Sequence, residues 1–160
     1  GAAPRTASSC AWARSELRGH GGIVGRDRPT LAAMVAETSG ADILVVDDDP
    51  LIRATLTAAL SSRGYRATAT DDPRALAAQA DPDAVVLDAI LPKCSLSECL
   101  ALLGHRSDGS RRPILVLSGS LTPPVDLAGT GIGYLTKPIP LSVFLDAVAE
   151  LVASTSRAET

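Results

Sequence analysis

An α/β fold, a doubly wound sheet of five parallel strands, is predicted for this chain by three observations. Short runs that are apolar at every position occur at residues 43–46, 84–87 and 114–117. A strand apolar on both faces must be covered on both faces, which is the condition of a parallel sheet. Stretches of helical period alternate with these runs, so that strand and helix repeat nearly five times. Each run also stops abruptly at a polar residue. In doubly wound sheets the polar loops at the carboxyl ends of the strands carry the site.

Size and composition narrow the choice. At 160 residues the chain fits one domain with an appendage. Hydrophobic residues make up 46%, but Trp12, Tyr65, Tyr134 and Phe144 are the only aromatics, so the core must be built of Val, Ile, Leu and Ala. The formal net charge is -3 and Lys and Arg never form a long block, which argues against direct nucleic-acid binding. No stretch reaches the ~18 apolar residues of a membrane-spanning helix, and no secretory signal is present. Cys10, Cys94 and Cys99 are odd in number and lack zinc-site spacing. They read as reduced thiols of a cytoplasmic protein rather than as metal ligands. The chain begins at Gly1 instead of Met, as a piece of something longer would.

Residues 1–40 are rich in Gly, Ala, Ser and Arg and read as a partly helical extension or linker. Ser9 to Leu17 can form a short helix carrying Trp12, and Thr30 can cap a second over Leu31 to Glu37. The main domain is expected over residues 41–153. Strand one is 43–46. Asp49 then stands where an N-cap belongs and Pro50 where a first-turn proline belongs. Leu51, Ile52, Leu56, Ala59 and Leu60 make the apolar stripe of the following helix. Residues 65–70, rich in Thr, form a strand suited to a sheet edge. Asp71-Asp72-Pro73 opens the next helix, with Leu76, Ala77 and Ala80 towards the sheet.

Strand three is 84–87 and a helix follows from about Ser95 to Leu103. Strand four is 114–117. Residues 120–133 contain Pro123-Pro124 and three Gly, and promise at most one helical turn, near Val125 to Ala128. Strand five is 133–136. Pro140 opens a last helix whose stripe is Leu141, Phe144, Leu145, Val148 and Leu151. A polar tail, from Ala153 with 154–160 as its outer part, is expected to fray.

Parallel strands place their carboxyl ends on one edge. Asp47 and Asp48 end strand one, Asp88 strand three, Ser118 strand four and Lys137 strand five. Three carboxylates and a lysine thus form an acidic pocket. All-oxygen ligands suit a hard divalent ion such as Mg2+. Asp88, alone at the end of a central strand, is the best nucleophile, because an Asp carboxylate can accept a phosphoryl group as an acyl phosphate. Mg2+ and Lys137 would neutralise the charge that develops during transfer, and the Ser118 hydroxyl would bond a phosphoryl oxygen afterwards. Plainer readings stand beside these. Lys137 can simply balance carboxylates, Ser118 can be a helix cap, Tyr134 can be edge packing, and Asp49 reads as a cap and not a ligand. His20 and His105 lie in polar loops with no nucleophile near them in sequence.

The ordered set Val45-Val46-Asp47-Asp48-Asp49-Pro50, Val86-Leu87-Asp88 with Leu91-Pro92, Leu117-Ser118-Gly119, and Tyr134-Leu135-Thr136-Lys137-Pro138 resembles the response-regulator receiver domain of two-component signalling. The resemblance implies a flavodoxin-like strand order 2-1-3-4-5. It implies Asp88 as phosphoacceptor, served by a histidine kinase or phosphotransfer protein. Mg2+ would be bound directly by Asp48, mainly through water by Asp47, and by Asp88 and the backbone carbonyl of Ile90. Ser118 and Tyr134 would be the switch pair, and the Lys137-Pro138 bond would be cis. Enzymatic activity would be limited to self-phosphorylation from a donor and slow autodephosphorylation. The partners implied are an output domain or protein and, through the fourth-helix face, a second copy in a homodimer.

Two departures qualify that picture. The family's usual Asp-Gly after Leu-Pro is replaced by Lys93-Cys94-Ser95. The segment from Ser118 to Lys137 is short and proline-broken, so the fourth helix is expected to be shortened or missing. Leu121, Val125 and Leu127 are expected to cover the sheet in its place, or residues 1–40 to lie there, anchored by Trp12 or Met34. The alternative function is therefore a pseudo-receiver, a protein-interaction or ligand-binding module not regulated by phosphorylation. A Mg2+-dependent hydrolase of similar fold is disfavoured, because Asp88-Ala89-Ile90 has no acid two residues beyond the nucleophile.

Overall fold

A computed structural model describes residues 40–78, 81–123, 127 and 130–156. The five strands are β1 (Asp42–Val46), β2 (Arg66–Thr70), β3 (Ala84–Asp88), β4 (Ile114–Ser118) and β5 (Ile132–Thr136). All pairs are parallel and the order is β2-β1-β3-β4-β5, as expected from the sequence. The three central strands are apolar throughout because both faces are covered. Leu44, Val45, Val85, Leu87, Ile114, Leu115 and Val116 are all but inaccessible to solvent. At the edge, β2 shows the mixed, half-exposed pattern its Thr and Ala content suggests.

The α-helices among the described residues are α1 (Pro50–Ser62), α2 (Leu96–Leu103) and α3 (Leu141–Ser156). Helices α1 and α3 cover one face, where Leu56, Leu60, Phe144, Val148 and Leu151 pack with Ile43, Val45, Val86 and Leu117. Helix α2 covers the other, where Leu96, Cys99 and Leu103 pack with Leu44, Val46, Val85, Leu87 and Val116. The segment after Asp72 is a 3-10 helix, Pro73–Ala78, in place of a regular α-helix; Leu76 packs on the second cluster as expected. Ala80 lies outside the described residues.

Local signals explain the helix starts. The Asp49 carboxylate accepts from the backbone N–H groups of Leu51 and Ile52, and Pro50 occupies the first turn. Two donors left over at a helix start are thereby satisfied. Helix α2 begins with a capping box. Ser95 Oγ accepts from Glu98 N, and the Glu98 carboxylate accepts from Ser95 N at 2.8 Å.

No helix occurs among the described residues between β4 and β5, in line with Pro123-Pro124 and the glycines. Gly131, at φ 75°, takes a left-handed conformation just before β5 that a β-carbon would strain. The turn proposed for Val125 to Ala128 falls mostly outside the described residues. One expectation is corrected. Leu121 does not cover the sheet: its side chain is 88% exposed, although the backbone on either side of it, at Ser120 and Thr122, is bonded to Tyr134 of the edge strand. The last helix extends past Ala153, to Ser156, where the sequence suggested the start of a tail. The helices proposed within residues 1–39, with Trp12, Met34, Cys10 and His20, lie outside the described residues, as does 157–160.

Candidate functional site

Strand register brings the acidic residues together. Val46 pairs with Leu87, so Asp47 and Asp88 are the next residues on adjacent strands. Both continue the alternation that points Val45 and Val86 at α1 and α3. Leu117 pairs with Asp88, which puts Ser118 one step beyond it on β4. Lys137 follows β5, and its N–H donates to Ser118 O at 2.7 Å. The Lys137-Pro138 peptide bond is cis.

One oxygen each from Asp47, Asp48 and Asp88 lies within 4.8 Å of the others. Asp47 is 2% exposed and Asp88 9%, whereas Asp48 reaches solvent. Lys137 Nζ donates to Asp88 Oδ1 at 3.0 Å and stands 3.6 Å from Asp47 Oδ2. Lys137 therefore pairs with two of the three clustered carboxylates. Asp47 Oδ1 accepts from Asp49 N at 2.9 Å, but its buried Oδ2 has no hydrogen bond. Burial, and then the charges of Asp88 and Asp48, push the Asp47 carboxyl above its ordinary range despite that bond and Lys137. Burial alone would lower the Lys137 ammonium, but the bond to Asp88 and the charges of Asp88 and Asp47 outweigh it and raise its pKa.

This donor set fits a hard divalent ion. Oxygen ligands close together, excess negative charge and a buried carboxylate oxygen with no hydrogen bond suit a hard divalent ion such as Mg2+. Asp47, Asp48 and Asp88 would hold the ion.

Ser118 is buried, and its Oγ accepts from Ser120 N at 3.1 Å in a tight turn; no helix lies between it and β5 among the described residues, so it is not the helix cap of the plain alternative. Tyr134 is half-buried at the edge, and its OH donates to Ser120 O at 2.8 Å. Thr136 Oγ1 donates to the same carbonyl at 3.4 Å. The Ile90 side chain is 74% exposed on the loop after β3. Asp49 caps α1, and His105 is exposed, away from the acidic residues. Cys94 and Cys99 are free thiols, and burial, with a hydrogen bond to Cys94, pushes Cys99 up to about 12. Two features escaped sequence reading. One is Arg53, whose Nη1 donates to Asp47 O at 2.8 Å and Asp48 O at 3.0 Å. The other is the clasp of Ser120 O by Tyr134 and Thr136. An arginine in the first turns of a helix gives no signal of which carbonyls it will reach.

Comparison with known proteins agrees with the geometry. The family model for the response regulator receiver domain matches residues 43–149. Response regulator MprA of Mycolicibacterium vanbaalenii is 39% identical over 121 residues, covering 71% of this chain and 51% of the relative. Response regulator MprA of Mycobacterium leprae is 38% identical over 120 residues, with the same shares. The chain thus spans about half the length of the curated relatives it matches. Among solved structures, the chemotaxis response regulator CheY4 of Vibrio cholerae superposes with a TM-score of 0.62 at 27% identity, covering 71% of this chain and 99% of that one. The receiver domain of sensor histidine kinase PA1611 of Pseudomonas aeruginosa, solved with a magnesium ion coordinated in its active-site cleft, gives 0.60 at 26% identity, covering 72% and 99%. No helix of the described residues is long and apolar enough to cross a membrane.

Proposed function

We propose, on the premise that the chain belongs to the response regulator receiver domain family, that Asp88 is a phosphoacceptor and that its modification switches a partner. The observation that carries this reading is the juxtaposition at the end of β3. Lys137 Nζ lies 3.0 Å from Asp88 Oδ1, beside carboxylates of Asp47 and Asp48 close enough to share one cation.

The donor is a phosphohistidine of a histidine kinase or phosphotransfer protein, or a small phosphodonor. An Asp88 carboxylate oxygen attacks phosphorus, the bond from phosphorus to the donor breaks, and the leaving group, imidazole when the donor is a phosphohistidine, departs with the bonding pair and takes up a proton as its basicity requires. Mg2+, when bound, supplies charge neutralisation on the phosphoryl oxygens. Lys137 keeps its proton, held by the two carboxylates, and turns from Asp88 to a phosphoryl oxygen as the acyl phosphate forms. The Ile90 backbone carbonyl, two residues beyond the nucleophile, is assigned to the metal as a further ligand. Ser118 Oγ is assigned to a phosphoryl oxygen and exchanges its present acceptance from Ser120 N for that bond. The 120–122 backbone then loosens, and with it the acceptors of Tyr134. That change is the signal for an output domain or protein, or for homodimerisation. The free thiols of Cys94 and Cys99 favour a cytoplasmic setting.

The test is incubation with Mg2+ and a small phosphodonor, followed by mass spectrometry. One phosphoryl group is expected on Asp88, and none in Asp88→Asn. Beryllofluoride with Mg2+ is expected to shift the amide resonances of Ser120 and Tyr134. An unmodified protein with an unperturbed spectrum overturns this reading and leaves the pseudo-receiver module standing.

A further inference from the structure

Arg53 sits on the second turn of α1, half-buried, and takes no part in the acidic cluster through its charge contacts. Its Nη1 donates to two consecutive backbone carbonyls, Asp47 O at 2.8 Å and Asp48 O at 3.0 Å. These belong to the two residues that bring carboxylates to the cluster from β1. Asp47 N donates to Thr70 O and Asp49 N to the Asp47 carboxylate, so the near side of this turn is tied to β2 and to itself. The Arg53 clamp ties its far side to the helix. Three carboxylates crowded within 4.8 Å repel one another, and a free turn would relieve that by letting Asp48, which is exposed, swing outward.

We propose that Arg53 is a positioning residue of the cation site, fixing the Asp47-Asp48 backbone so that both carboxylates meet Asp88. The inference rests on the proposed function above, in that the site is taken to bind Mg2+. Position and charge make opposite demands on this residue. A guanidinium near a divalent ion repels it, so charge alone predicts tighter Mg2+ binding once Arg53 is removed. Clamping predicts weaker binding. Lysine keeps the charge but replaces a planar fork by a single flexible donor, which separates the two roles further.

The experiment uses the full 160-residue chain. Mg2+ affinity of wild type, Arg53→Met and Arg53→Lys is measured by calorimetry and by the amide shifts of Asp48 and Asp49, with urea unfolding in chelator run in parallel. Arg53→Met is expected to weaken Mg2+ roughly tenfold, as loss of an outer-shell partner does, with Arg53→Lys between it and wild type. The Asp48 and Asp49 amides are expected to shift in the Mg2+-free variant as well. Equal or tighter Mg2+ binding by Arg53→Met overturns the proposal, including the case in which the variant only loses stability. Failure of wild type itself to bind Mg2+ overturns the function proposed for the site, and this inference with it. If Arg53→Met does not fold, the comparison of Arg53→Lys with wild type decides: unchanged affinity and amide shifts overturn the proposal.

Discussion

Charge clusters stand at both ends of the same sheet, and they are built on opposite principles. At the amino end of β3 and β4, Arg112 is 5% exposed and fully engaged. It donates to Leu103 O at 2.7 Å and to Pro82 O at 3.2 Å, and pairs with the Asp81 carboxylate. Asp81 also accepts from Ser107 N and Ser107 Oγ, and those bonds, with Arg112, hold it below the ordinary carboxylate range. At the carboxyl end, three carboxylates lie close together, only Asp47 and Asp88 pair with Lys137, and a buried oxygen of Asp47 has no hydrogen bond. A cluster whose donors and acceptors balance is a fastening. One left short of positive charge stores repulsion that a bound cation relieves.

That contrast can be broken most directly at its balanced end. Arg112→Ala leaves Asp81 and two carbonyls without their partner, and is expected to lower the unfolding free energy by about 3 kcal/mol, measured in urea. Phosphoryl uptake by the folded fraction should not change. At the other end, and on the function proposed, Mg2+ at a hundredfold its Kd is expected to raise stability by about 2.7 kcal/mol, with chelator reversing it. An unchanged melting curve would remove the cation from the account. Asp47→Asn should then stabilise the chelated protein, by about 1 kcal/mol, because it removes the most buried of the mutually repelling charges. It should also abolish the response to Mg2+. Loss of stability would mean that the carboxylate is a structural acceptor after all.

The two ends also differ in sign with pH. The folded-state pKa of Asp81 is depressed, so its contribution is present above the unfolded value and is lost as pH falls through the folded one. Asp47 is raised, so in chelated protein its penalty is present at neutral pH and disappears as pH falls through that raised value. Stability of the chelated chain should therefore rise slightly on mild acidification before it falls, and Asp47→Asn should lack the rise. The smallest effect is expected at the rim. Tyr134→Phe loses the exposed hydroxyl that donates to Ser120 O and Thr122 O and should cost about 0.5 kcal/mol. It should leave phosphoryl uptake intact while reducing the amide response at Ser120.

The strands were legible because burial on both faces leaves no choice of residue. The runs in β1, β3 and β4 are apolar at every position, and the chain changes character where they end. The start of α1 was legible for a local reason, since Asp49 and Pro50 act within one turn of themselves. The stripe of the last helix was legible too, and its packing through Val152 is a contact made across the molecule. Leu121 misled, because an apolar residue is no guarantee of burial even where the backbone on either side of it is bonded to the edge strand.

The site divides in the same way. Sequence by itself determined which residues lie at the strand ends, and so named Asp47, Asp48, Asp88, Ser118 and Lys137 together, because parallel strands share one polarity. Only the tertiary structure decided their partners. It set Lys137 nearer to Asp88 than to Asp47, left Asp47 Oδ2 unbonded, gave the Ser120 carbonyl to Tyr134 and Thr136, and brought Arg53 onto the backbone of the two leading aspartates. Strand polarity is a one-dimensional property, carried by the order of residues. Hydrogen-bond geometry depends on distances of a few tenths of an ångström between segments that only folding brings together.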